Sequence, residues 1–479
     1  MTVVRDPSDL VPIPAQARRL GQAFAEAGHE LHLVGGSIRD ALMGRLASDD
    51  SAMDLDFTTD ARPDQVLALT ASLAQATWTT GIDFGTIGLQ VDGRRVEITT
   101  FRADRYDRQS RNPEVVFGES LTEDLRRRDF TMNAMALSVT GDGTFADPFG
   151  GLPDLARGIL RTPGRAHDSF ADDPLRMLRA ARFVSVLGIR PDDDVRAAIA
   201  ELAPELGRIT AERVQAELSK LVLGTSPRAG LELLVDTGLA DVVLPELPAL
   251  RMAADEHGQH KDVYAHTLQV LDQAIDLERA AGGEPDLVLR WAAILHDVGK
   301  PATRRFEGAG RVTFHHHEVE GARMARLRLR QLKYSKEIVE EVTQLVYLHL
   351  RFYGYGNGEW TDSAVRRYVV DAGPLLQRLH KLVRSDCTTR NRRKAASLAA
   401  TYDALEERIA ELQRREELDA VRPDLDGNEI MAILDVPPGR LVGQAYTYLL
   451  GLRMEQGPLG HDRAVTELLA WYGEQPRGQ

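Results

Sequence analysis

The sequence contains a single cysteine, Cys387, so no disulfide can form within the chain. Such scarcity is typical of proteins from a reducing compartment. No apolar run reaches the ~18 residues needed to span a bilayer, and the first twenty residues lack the apolar segment of a secretory signal. The chain is therefore expected in the cytoplasm, without a membrane partner.

An excess of positive charge is also missing, because 59 Lys and Arg stand against 72 Asp and Glu, a net charge of −13. This excludes a protein that binds nucleic acid through a global basic field, so any such contact must come from local basic patches. With 479 residues, 43% hydrophobic and 27% charged, the chain has the composition of a globular protein. Its length predicts about three or four domains.

Helix and strand signals alternate over the first 150 residues and then give way to helices. The pattern predicts helices at 12–30, 38–43 and 63–73, and strands at 30–34, 53–57, 86–91 and 95–101. Asp92-Gly93 is a hairpin turn signal between the last two strands. Beyond residue 173 we expect helices, with loops at 251–262, 301–315 and 352–361 and a long charged helix at 388–418.

Two glycines and two aspartates form the first candidate site. Gly35 and Gly36 lie between a strand and a helix, where backbone N–H groups can approach a phosphate, although a tight turn is the more common use of such a pair. Asp54 and Asp56 point to the same face of a strand. Two carboxylates at such a short distance repel each other unless a cation lies between them. The pair therefore predicts a site for two divalent metal ions. A solvated strand face is the alternative.

Four segments of the N-terminal half form a recognisable series of motifs. They are Leu33-Val-Gly-Gly-Ser-Ile-Arg-Asp, Asp54-Leu-Asp, Val96-Glu-Ile-Thr-Thr-Phe-Arg and Asp124-Leu-Arg-Arg-Arg-Asp-Phe-Thr-Met-Asn-Ala-Met-Ala. In this order they resemble the nucleotidyltransferase superfamily that includes DNA polymerase β, and more narrowly the class II tRNA nucleotidyltransferases and bacterial poly(A) polymerases. The resemblance covers at least residues 31–250.

The resemblance implies a role for each matching residue. Asp54 and Asp56 would bind the catalytic Mg²⁺ ions. Glu97, on a neighbouring strand, would be either a third carboxylate of that site or a structural partner of Arg39 or Arg102, and both interpretations stay open. The residues expected to bind the triphosphate or ribose of the nucleotide are Gly35, Gly36, Arg39, Arg128 and Asn133.

A second candidate site begins the next helix, where Asp172 is expected as N-cap and Pro174 in the first turn. Asp173 and Arg176 are neighbours on that helix, and their simplest role is an ion pair facing solvent. A sharper role is base recognition, because a carboxylate accepts from the amine of cytosine or adenine and repels the carbonyl of uracil or guanine. The segment resembles the family's Glu-Asp-x-x-Arg motif, with aspartate for glutamate, which implies the second role. Arg179 would support Arg176 or the triphosphate.

Three further segments are candidates for structural or RNA contacts. The helix with Ala211-Glu-Arg-Val-Gln-Ala-Glu-Leu also matches the family, and packing is its expected role. The basic patches at 323–336 and 390–394 are candidates for phosphate contact. Taken singly, each patch is better explained as a solvated helical face.

Histidine is concentrated in the third quarter of the chain, where nine of the 13 lie between His257 and His380. His296-Asp297 ends an apolar run inside His-Asp-x-Gly-Lys, and imidazole with carboxylate suits borderline and hard divalent ions. The motif order resembles an HD-domain phosphohydrolase of the two-metal kind; a structural relic of such a site is the alternative. The expected ligands of a divalent transition metal are His266, His296, Asp297, His317, His349 and Asp386.

Pattern and resemblance together predict an α+β protein. A polymerase-β-like nucleotidyltransferase head with a mixed sheet is expected over 1–150, and a helical neck with the base-reading motif and RNA contacts over 151–250. An HD metal-dependent phosphohydrolase-like domain is expected over 251–390, and a helical tail over 391–479.

The expected activity is template-independent addition or repair of the CCA end of tRNA with CTP and ATP, by two-metal catalysis. The HD motif leaves room for a second, phosphohydrolase activity. A poly(A) polymerase and a CC-only adding enzyme are the alternatives of the same class, because they share the head motifs. An HD phosphohydrolase with an RNA-binding head is the alternative of another class. The expected partner is the acceptor arm and 3′ end of tRNA, and no protein partner is implied.

Overall fold

A computed structural model describes residues 7–46, 53–102, 117–118, 120–141, 143–251, 262–307, 311–354, 361–388, 391–416 and 422–475. The chain is 63% helical and forms two compact units, Met1–Val243 and Leu244–Gln479. Among the described helices, none combines the length and the apolar character needed to cross a membrane.

One seven-stranded sheet organises the start of the first unit. Its strands are β1 (Leu31–Val34), β2 (Leu55–Thr59), β3 (Ala76–Trp78), β4 (Thr86–Val91), β5 (Arg94–Thr100), β6 (Ala136–Ser138) and β7 (Phe145–Ala146). Their order across the sheet is β3-β4-β5-β2-β1-β6-β7. Only β2 and β5 pair in parallel, and the other neighbours are antiparallel, so the sheet is mixed as predicted.

The alternation of β2 decides which side chains face the core. Met53, Leu55 and Phe57 are buried, whereas Asp54 and Asp56 are exposed, because successive strand residues point to opposite faces. The apolar face of the sheet packs against the first helix, whose Leu20 and Phe24 are fully buried. The two aspartates are thereby fixed on the side of the sheet that faces away from this core.

The helices of the first unit follow the predicted pattern, with one shift. They are α1 (Ala15–Glu26), α2 (Gly36–Leu42), α3 (Pro63–Thr70), α4 (Leu121–Arg126), α5 (Gly151–Arg157), α6 (Ala166–Asp172), α7 (Leu175–Leu187), α8 (Asp193–Leu202), α9 (Ala211–Val222), α10 (Pro227–Asp236) and α11 (Leu239–Val243). The prediction of Asp172 as an N-cap is wrong, because this residue ends α6 and α7 begins at Leu175. A short parallel pair, β8 (Ile159–Leu160) with β9 (Arg190–Pro191), was not predicted.

Short 3-10 turns complete the unit, and one of them carries an expected site residue. In the first unit they are Pro7–Leu10, Ile82–Phe84, Thr131–Asn133 and Ala203–Arg208. The turn Thr131–Asn133 directly precedes β6 and is buried throughout. Asn133 is therefore held in the interior of the head.

The second unit is helical. Its helices are α12 (Val263–Ala280), α13 (Leu287–Leu295), α14 (Lys300–Thr303), α15 (His317–Gln331), α16 (Lys336–Leu348), α17 (Arg351–Gly354), α18 (Asp362–Ala372), α19 (Leu376–Ser385), α20 (Arg392–Glu416), α21 (Gly427–Leu434), α22 (Arg440–Gln456) and α23 (His461–Gly473), with 3-10 turns at Pro248–Leu250 and Gly373–Leu375. The last three helices enclose a small core of their own around Leu425, Ile430 and Leu449.

The predicted loop at 301–315 is wrong. It contains α14 and an antiparallel hairpin of β10 (Arg305–Glu307) and β11 (Arg311–Thr313). The hairpin was not predicted because polar residues dominate both strands, so neither strand shows an apolar alternation. Most of the predicted loop at 251–262 and residues 355–360 of the loop at 352–361 lie outside the described residues.

Candidate functional site

A cavity of about 370 Å³ opens in the first unit where β2 and β5 face α7 and α9. Six arginines and four carboxylates line it, so the lining carries an excess of positive charge that suits a polyphosphate. The lining residues are Val34, Asp56, Phe57, Glu97, Thr99, Arg102, Arg127, Arg128, Asp129, Asp173, Leu175, Arg176, Arg179 and Arg213.

Strand pairing brings two carboxylates together on the cavity floor. Asp56 on β2 is the register partner of Glu97 on β5 in the parallel pair. The Asp56 side chain is exposed to the cavity, but the surrounding protein removes it from most of the bulk solvent. This desolvation, followed by the negative charges of Glu97 and Asp54, raises the pKa of Asp56 to about 6. Three carboxylates that disfavour each other's charge are a donor set that a divalent cation would stabilise, so these residues fit the expected metal.

Glu97 also forms an ion pair with Arg95, at 2.9 Å. The structural partner expected in Arg39 is excluded, because its guanidinium binds Asp40 at 2.8 Å and Asn133 at 2.7 Å. Arg102 donates to Thr86 Oγ1 at 3.0 Å and lines the cavity beside Glu97. The position of Glu97 beside Asp56 favours the interpretation as a third carboxylate.

The two glycines hold the turn expected at the phosphates. Gly35 has φ +81°, a backbone conformation that favours glycine, and Gly36 is the first residue of α2. A Cβ atom on Gly35 would lie 3.5 Å from Arg128 Nη1. Arg128 lines the cavity and is held from behind by Asp124, at 3.4 Å. The turn and the arginine therefore lie together at the cavity.

A chain of hydrogen bonds joins Arg39, Asn133 and Arg179, which are expected nucleotide-binding residues. The chain runs through Asp129, which was not predicted as a site residue. Asn133 accepts from Arg39 and donates to Asp129 Oδ1 at 2.9 Å, and Arg179 Nε donates to Asp129 Oδ2, also at 2.9 Å. Burial alone would raise the pKa of Asp129, but Arg179 and Asn133 lower it to about 2. Arg179 lines the cavity, whereas Arg39 and Asn133 do not.

Asp173 and Arg176 both line the cavity, and they do not form the ion pair with each other that was the simpler alternative to base recognition. Asp173 Oδ1 accepts from the Leu175 N–H at 3.1 Å, and its Oδ2 binds Arg213 at 3.3 Å. Arg176 donates to Ser169 Oγ at 2.8 Å and to the carbonyl of Arg127 at 2.6 Å. Each side chain is oriented by separate protein groups, which leaves the face between them for another molecule.

Helix α9 does more than pack, which corrects the role expected for it. Arg213 reaches Asp173. One turn later the buried Glu217 binds Arg182 at 3.2 Å and approaches Arg179 at 3.8 Å. The i, i+4 spacing of Arg213 and Glu217 places them on one face of the helix, and this spacing was the signal available in the sequence.

The six histidines and aspartates expected in the second unit converge. They form two groups in which one ligand atom per residue lies within 4.8 Å of the others: His266, His296 and Asp386, and Asp297, His317 and His349. Rings of neighbouring histidines are 5.3–5.4 Å apart between centroids. The described residues thus contain groups that could hold metal ions.

Three of these histidines are oriented in the same way. Nδ1 of His296, His317 and His349 hydrogen-bonds the carbonyl three residues earlier, at 2.9, 2.8 and 2.6 Å. Because a carbonyl only accepts, Nδ1 carries a proton in each of them, so Nε2 is the atom that presents a lone pair when the imidazole is neutral. All three Nε2 atoms are buried and make no hydrogen bond. An orphaned imidazole nitrogen with a carbonyl-bound partner nitrogen is the arrangement of a metal ligand.

The charges of two members of this cluster fit the same interpretation, whereas the pKa of His296, which burial would lower, is raised by Asp297 and Asp386 and favours its charged form while no cation is bound. Burial and the charge of His296 lower the pKa of His349 to about 4, so its imidazole is neutral at pH 7. Burial would raise the pKa of Asp386, but the hydrogen bond with His266 and the charge of His296 lower it to about 2. Neutral imidazole and ionised carboxylate are the metal-binding forms of these side chains.

The two basic patches differ in how much of them is described. On α15, Arg323 pairs with Glu320 and Arg328 pairs with Glu246, which leaves fewer free cations than the sequence suggests. Arg390 and the side chain of Lys394 lie outside the described residues. Neither patch is thereby established as a phosphate contact.

Comparison with known families matches three consecutive parts of the chain. Residues 31–161 match the poly A polymerase head domain. Residues 188–250 match the probable RNA and SrmB-binding site of polymerase A, and residues 263–387 match the HD domain. The order of the three agrees with the order predicted from the sequence.

Individual proteins give the same result. A CCA-adding enzyme of Geobacillus kaustophilus is 42% identical over 244 residues, which is 50% of this chain and 57% of that protein. One from Leuconostoc mesenteroides is 41% identical over 224 residues, 47% of this chain and 52% of that protein. The chain thus matches little more than half the length of these curated relatives.

Solved structures extend the likeness along the chain. The crystal structure of the Bacillus stearothermophilus CCA-adding enzyme in complex with CTP is 25% identical, covers 98% of both chains and has a TM-score of 0.66. A Thermotoga maritima CCA-adding enzyme complexed with tRNA covers 98% of this chain and all of that one, at 18% identity and a TM-score of 0.61. The latter likeness concerns the fold.

Proposed function

We propose that this chain, which belongs to the family of class II tRNA nucleotidyltransferases and poly(A) polymerases with an HD domain, adds or repairs the CCA end of tRNA with CTP and ATP. The observation that carries the proposal is the cavity itself. It brings the Asp56–Glu97 pair into one space with Asp173 and Arg176, residues more than 70 positions later in the chain. Metal-binding and base-reading groups thus face the same volume.

Asp54 and Asp56 are the proposed Mg²⁺ ligands, with Glu97 as the third carboxylate. When bound there, Mg²⁺ would lower the pKa of the RNA 3′-hydroxyl and neutralise the phosphates of the nucleotide. The strand ladder holds Asp56 beside Glu97, and Ser37 Oγ binds the carbonyl of Asp54. Asp56 and Glu97 are thus placed by the strand ladder, and the backbone of Asp54 is held by a side-chain hydrogen bond from Ser37.

Arginines around the cavity would receive the triphosphate. Arg128 faces the Gly35 turn, and Arg179 is fixed by Asp129. An arginine held by a buried carboxylate keeps its position with little loss of entropy when an anion arrives. These residues orient the phosphates for loss of pyrophosphate.

Asp173 and Arg176 would read the base. The Asp173 carboxylate accepts from the exocyclic amine of cytosine or adenine and repels the O4 of uracil or the O6 of guanine, and Arg176 donates to the ring nitrogen. Because Ser169 and the carbonyl of Arg127 fix Arg176, its orientation does not depend on the base. One pair thereby admits C and A, and rejects U and G.

The RNA partner is inferred from the second matched segment and from the relatives. Residues 188–250 resemble an RNA-binding part of polymerase A, and the relatives named above are CCA-adding enzymes. These names favour CCA addition over poly(A) addition or CC-only addition. The paired carboxylates of the cavity argue against a head that only binds RNA, because binding alone does not require them.

The test is incubation of the full chain with tRNA that lacks its last three nucleotides. Each nucleoside triphosphate is supplied alone, and CTP is supplied together with ATP; products are sized at one-nucleotide resolution. We expect two additions with CTP alone and three with both. A product that stops after two residues with both nucleotides contradicts the proposal in favour of CC addition, and a long ladder with ATP alone favours a poly(A) polymerase.

A second candidate activity is hydrolysis of phosphate esters by the HD domain with a divalent transition metal. The specific observation is three buried Nε2 atoms without a hydrogen bond, on His296, His317 and His349. Those of His296 and His317 lie 3.2 and 3.3 Å from the Asp297 carboxylate. Phosphate esters at RNA ends are the proposed substrates. Metal analysis of the purified protein, with assays on a chromogenic phosphodiester and on a 2′,3′-cyclic mononucleotide, tests this. Metal-free protein that also binds no added Mn²⁺, Co²⁺ or Ni²⁺ contradicts it.

A further inference from the structure

The β10–β11 hairpin contacts the cluster of expected HD ligands through Phe314, the residue that directly follows β11. Phe314, which follows β11, accepts a hydrogen bond from His317 Nδ1 at 2.8 Å. The Phe314 ring also lies 5.8 Å from Lys300 Nζ, which binds Asp297 at 2.6 Å. Two of the expected metal ligands therefore fix the position of the hairpin.

The hairpin presents an aromatic ring to solvent. Phe306 on β10 is 69% exposed, the largest exposure among the large hydrophobic side chains of the described residues. It is the register partner of Val312, two residues before Phe314. Two strand residues span ~7 Å, so the ring lies about one nucleotide from the base of the hairpin.

One arginine lies beside this ring, with its guanidinium carbon 4.8 Å from the centre of the ring: Arg304. The Arg304 side chain makes no ion pair or hydrogen bond with any other described residue, and its Nε is buried without a partner. Arg305 is the next residue of the strand, so its side chain points to the opposite face from Phe306. An exposed ring with a free guanidinium group next to it is complementary to a stacked base and its phosphate.

We propose that Phe306 and Arg304 form a platform on which an unpaired base of a single-stranded RNA end stacks, while the phosphate at that end enters the HD cluster. The inference rests on the proposed phosphohydrolase activity and specifies its substrate class. The ligand is an RNA strand that ends in a phosphate ester, rather than a free mononucleotide. A protein partner is disfavoured because the ring lies beside a cation that has no acidic partner among the described residues, an arrangement that suits a base and its phosphate.

The test measures binding of a 5′-fluorescein RNA pentamer ending in a 2′,3′-cyclic phosphate to the full chain by fluorescence anisotropy. Base–aromatic stacking of ~1–3 kcal/mol per base corresponds to a 5- to 150-fold effect. We expect Phe306→Ala and Phe306→Leu to weaken binding at least about 5-fold, and Phe306→Trp to retain it. Val370→Ala, which removes another exposed apolar side chain, from α18 (42% exposed), is the control and should bind as the wild type does.

A pentamer with an abasic penultimate position separates stacking from general damage. On this RNA, wild type and Phe306→Ala should bind equally. A 4-thiouridine at the same position should crosslink within residues 304–307. Equal binding of the intact pentamer by wild type and Phe306→Ala, or the same loss on the abasic pentamer, overturns the platform.

Hydrolysis is followed separately, so that the two proposals fail independently. If the platform is correct, Phe306→Ala raises KM for the pentamer and leaves hydrolysis of the chromogenic diester unchanged. If no substrate is hydrolysed but the stacking effect on binding remains, the platform stands and the phosphohydrolase proposal fails. If hydrolysis of the pentamer is normal in Phe306→Ala, the platform fails and the activity stands.

Discussion

Asp56 and Glu97 are register partners on the only parallel strand pair of the head sheet. Their side chains emerge on the same face of neighbouring strands, which lie about 4.8 Å apart, so two negative charges are held together by the backbone. Desolvation and the acidic neighbours of Asp56 raise its pKa to about 6, which shows that its ionised form is disfavoured at this position. A bound cation relieves that cost, and this is the physical basis of the catalytic assignment.

Base selection should depend on Asp173. Asp173→Ala removes the acceptor for the amine of C and A together with the repulsion of O4 and O6. We expect UTP and GTP incorporation to rise relative to CTP by about 10-fold or more, measured as kcat/KM for each nucleotide. Asp168→Ala, an exposed aspartate on α6, is the control and should keep the wild-type preference. If Asp173→Ala keeps the wild-type selectivity, Asp173 does not read the base, and its hydrogen bonds to Leu175 and Arg213 serve only the structure.

Metal binding in the HD domain should depend on the close approach of α15 to Gly299. A Cβ atom there would lie 2.2 Å from the carbonyl oxygen of His317 and 2.6 Å from the Gly321 nitrogen, and backbone atoms cannot rotate away. Gly299→Ala should therefore displace His317 and lower metal affinity at least about 10-fold. Metal content after dialysis checks this. Gly283→Ala, whose nearest neighbour is at 3.9 Å, should retain full metal content.

The two sites should act independently. His296→Ala and Asp297→Ala remove HD ligands and should lower phosphate-ester hydrolysis to about background, while nucleotide addition persists with unchanged kcat. Thermal unfolding is measured alongside, because loss of a ligand destabilises a domain that folds around its metal. A change in KM alone would reflect weaker tRNA contact. A large fall of kcat for addition in a folded variant would show that the sites are coupled.

Low pH should reduce the free energy of unfolding of the head, because it protonates Asp129. Its folded-state pKa of about 2 lies below the ordinary 3.8, so its stabilisation is complete above pH 3.8 and is lost as the pH falls towards 2. By pH 3 the loss amounts to about 1 kcal/mol. Urea unfolding at pH 5 and pH 3 should show a smaller decrease for Asp129→Asn than for wild type. Asp83→Asn, an exposed control in the same unit, should decrease as wild type does.

The parts of the site that the sequence predicted are those encoded by local pattern. The alternation around Asp54 and Asp56 is a property of one strand, and the structure places both on the exposed face. The six expected HD ligands were predicted from residue type and from the order of the motifs, because few side chains bind metals well. They converge as predicted, although they come from positions 266 to 386.

The parts that sequence reasoning missed depend on contacts between distant elements. Asp129 looked like one residue of a motif, but its bonds to Asn133 and Arg179 make it the centre of a network. Arg213 and Glu217 reach the site only because α9 packs against α7. The β10–β11 hairpin was missed because both faces of β10 are exposed, so no apolar alternation marks it.

The most direct test of the central claim is single-turnover addition of CMP to a shortened tRNA by Asp54→Ala and Asp56→Ala, at saturating CTP and Mg²⁺. Asp92→Asn, at the hairpin turn between β4 and β5, is the matched control. The account predicts that both alanine variants fold, bind tRNA and retain less than about 1% of the wild-type rate, while the control is fully active. Retention of more than a few per cent of the rate by either alanine variant would contradict it.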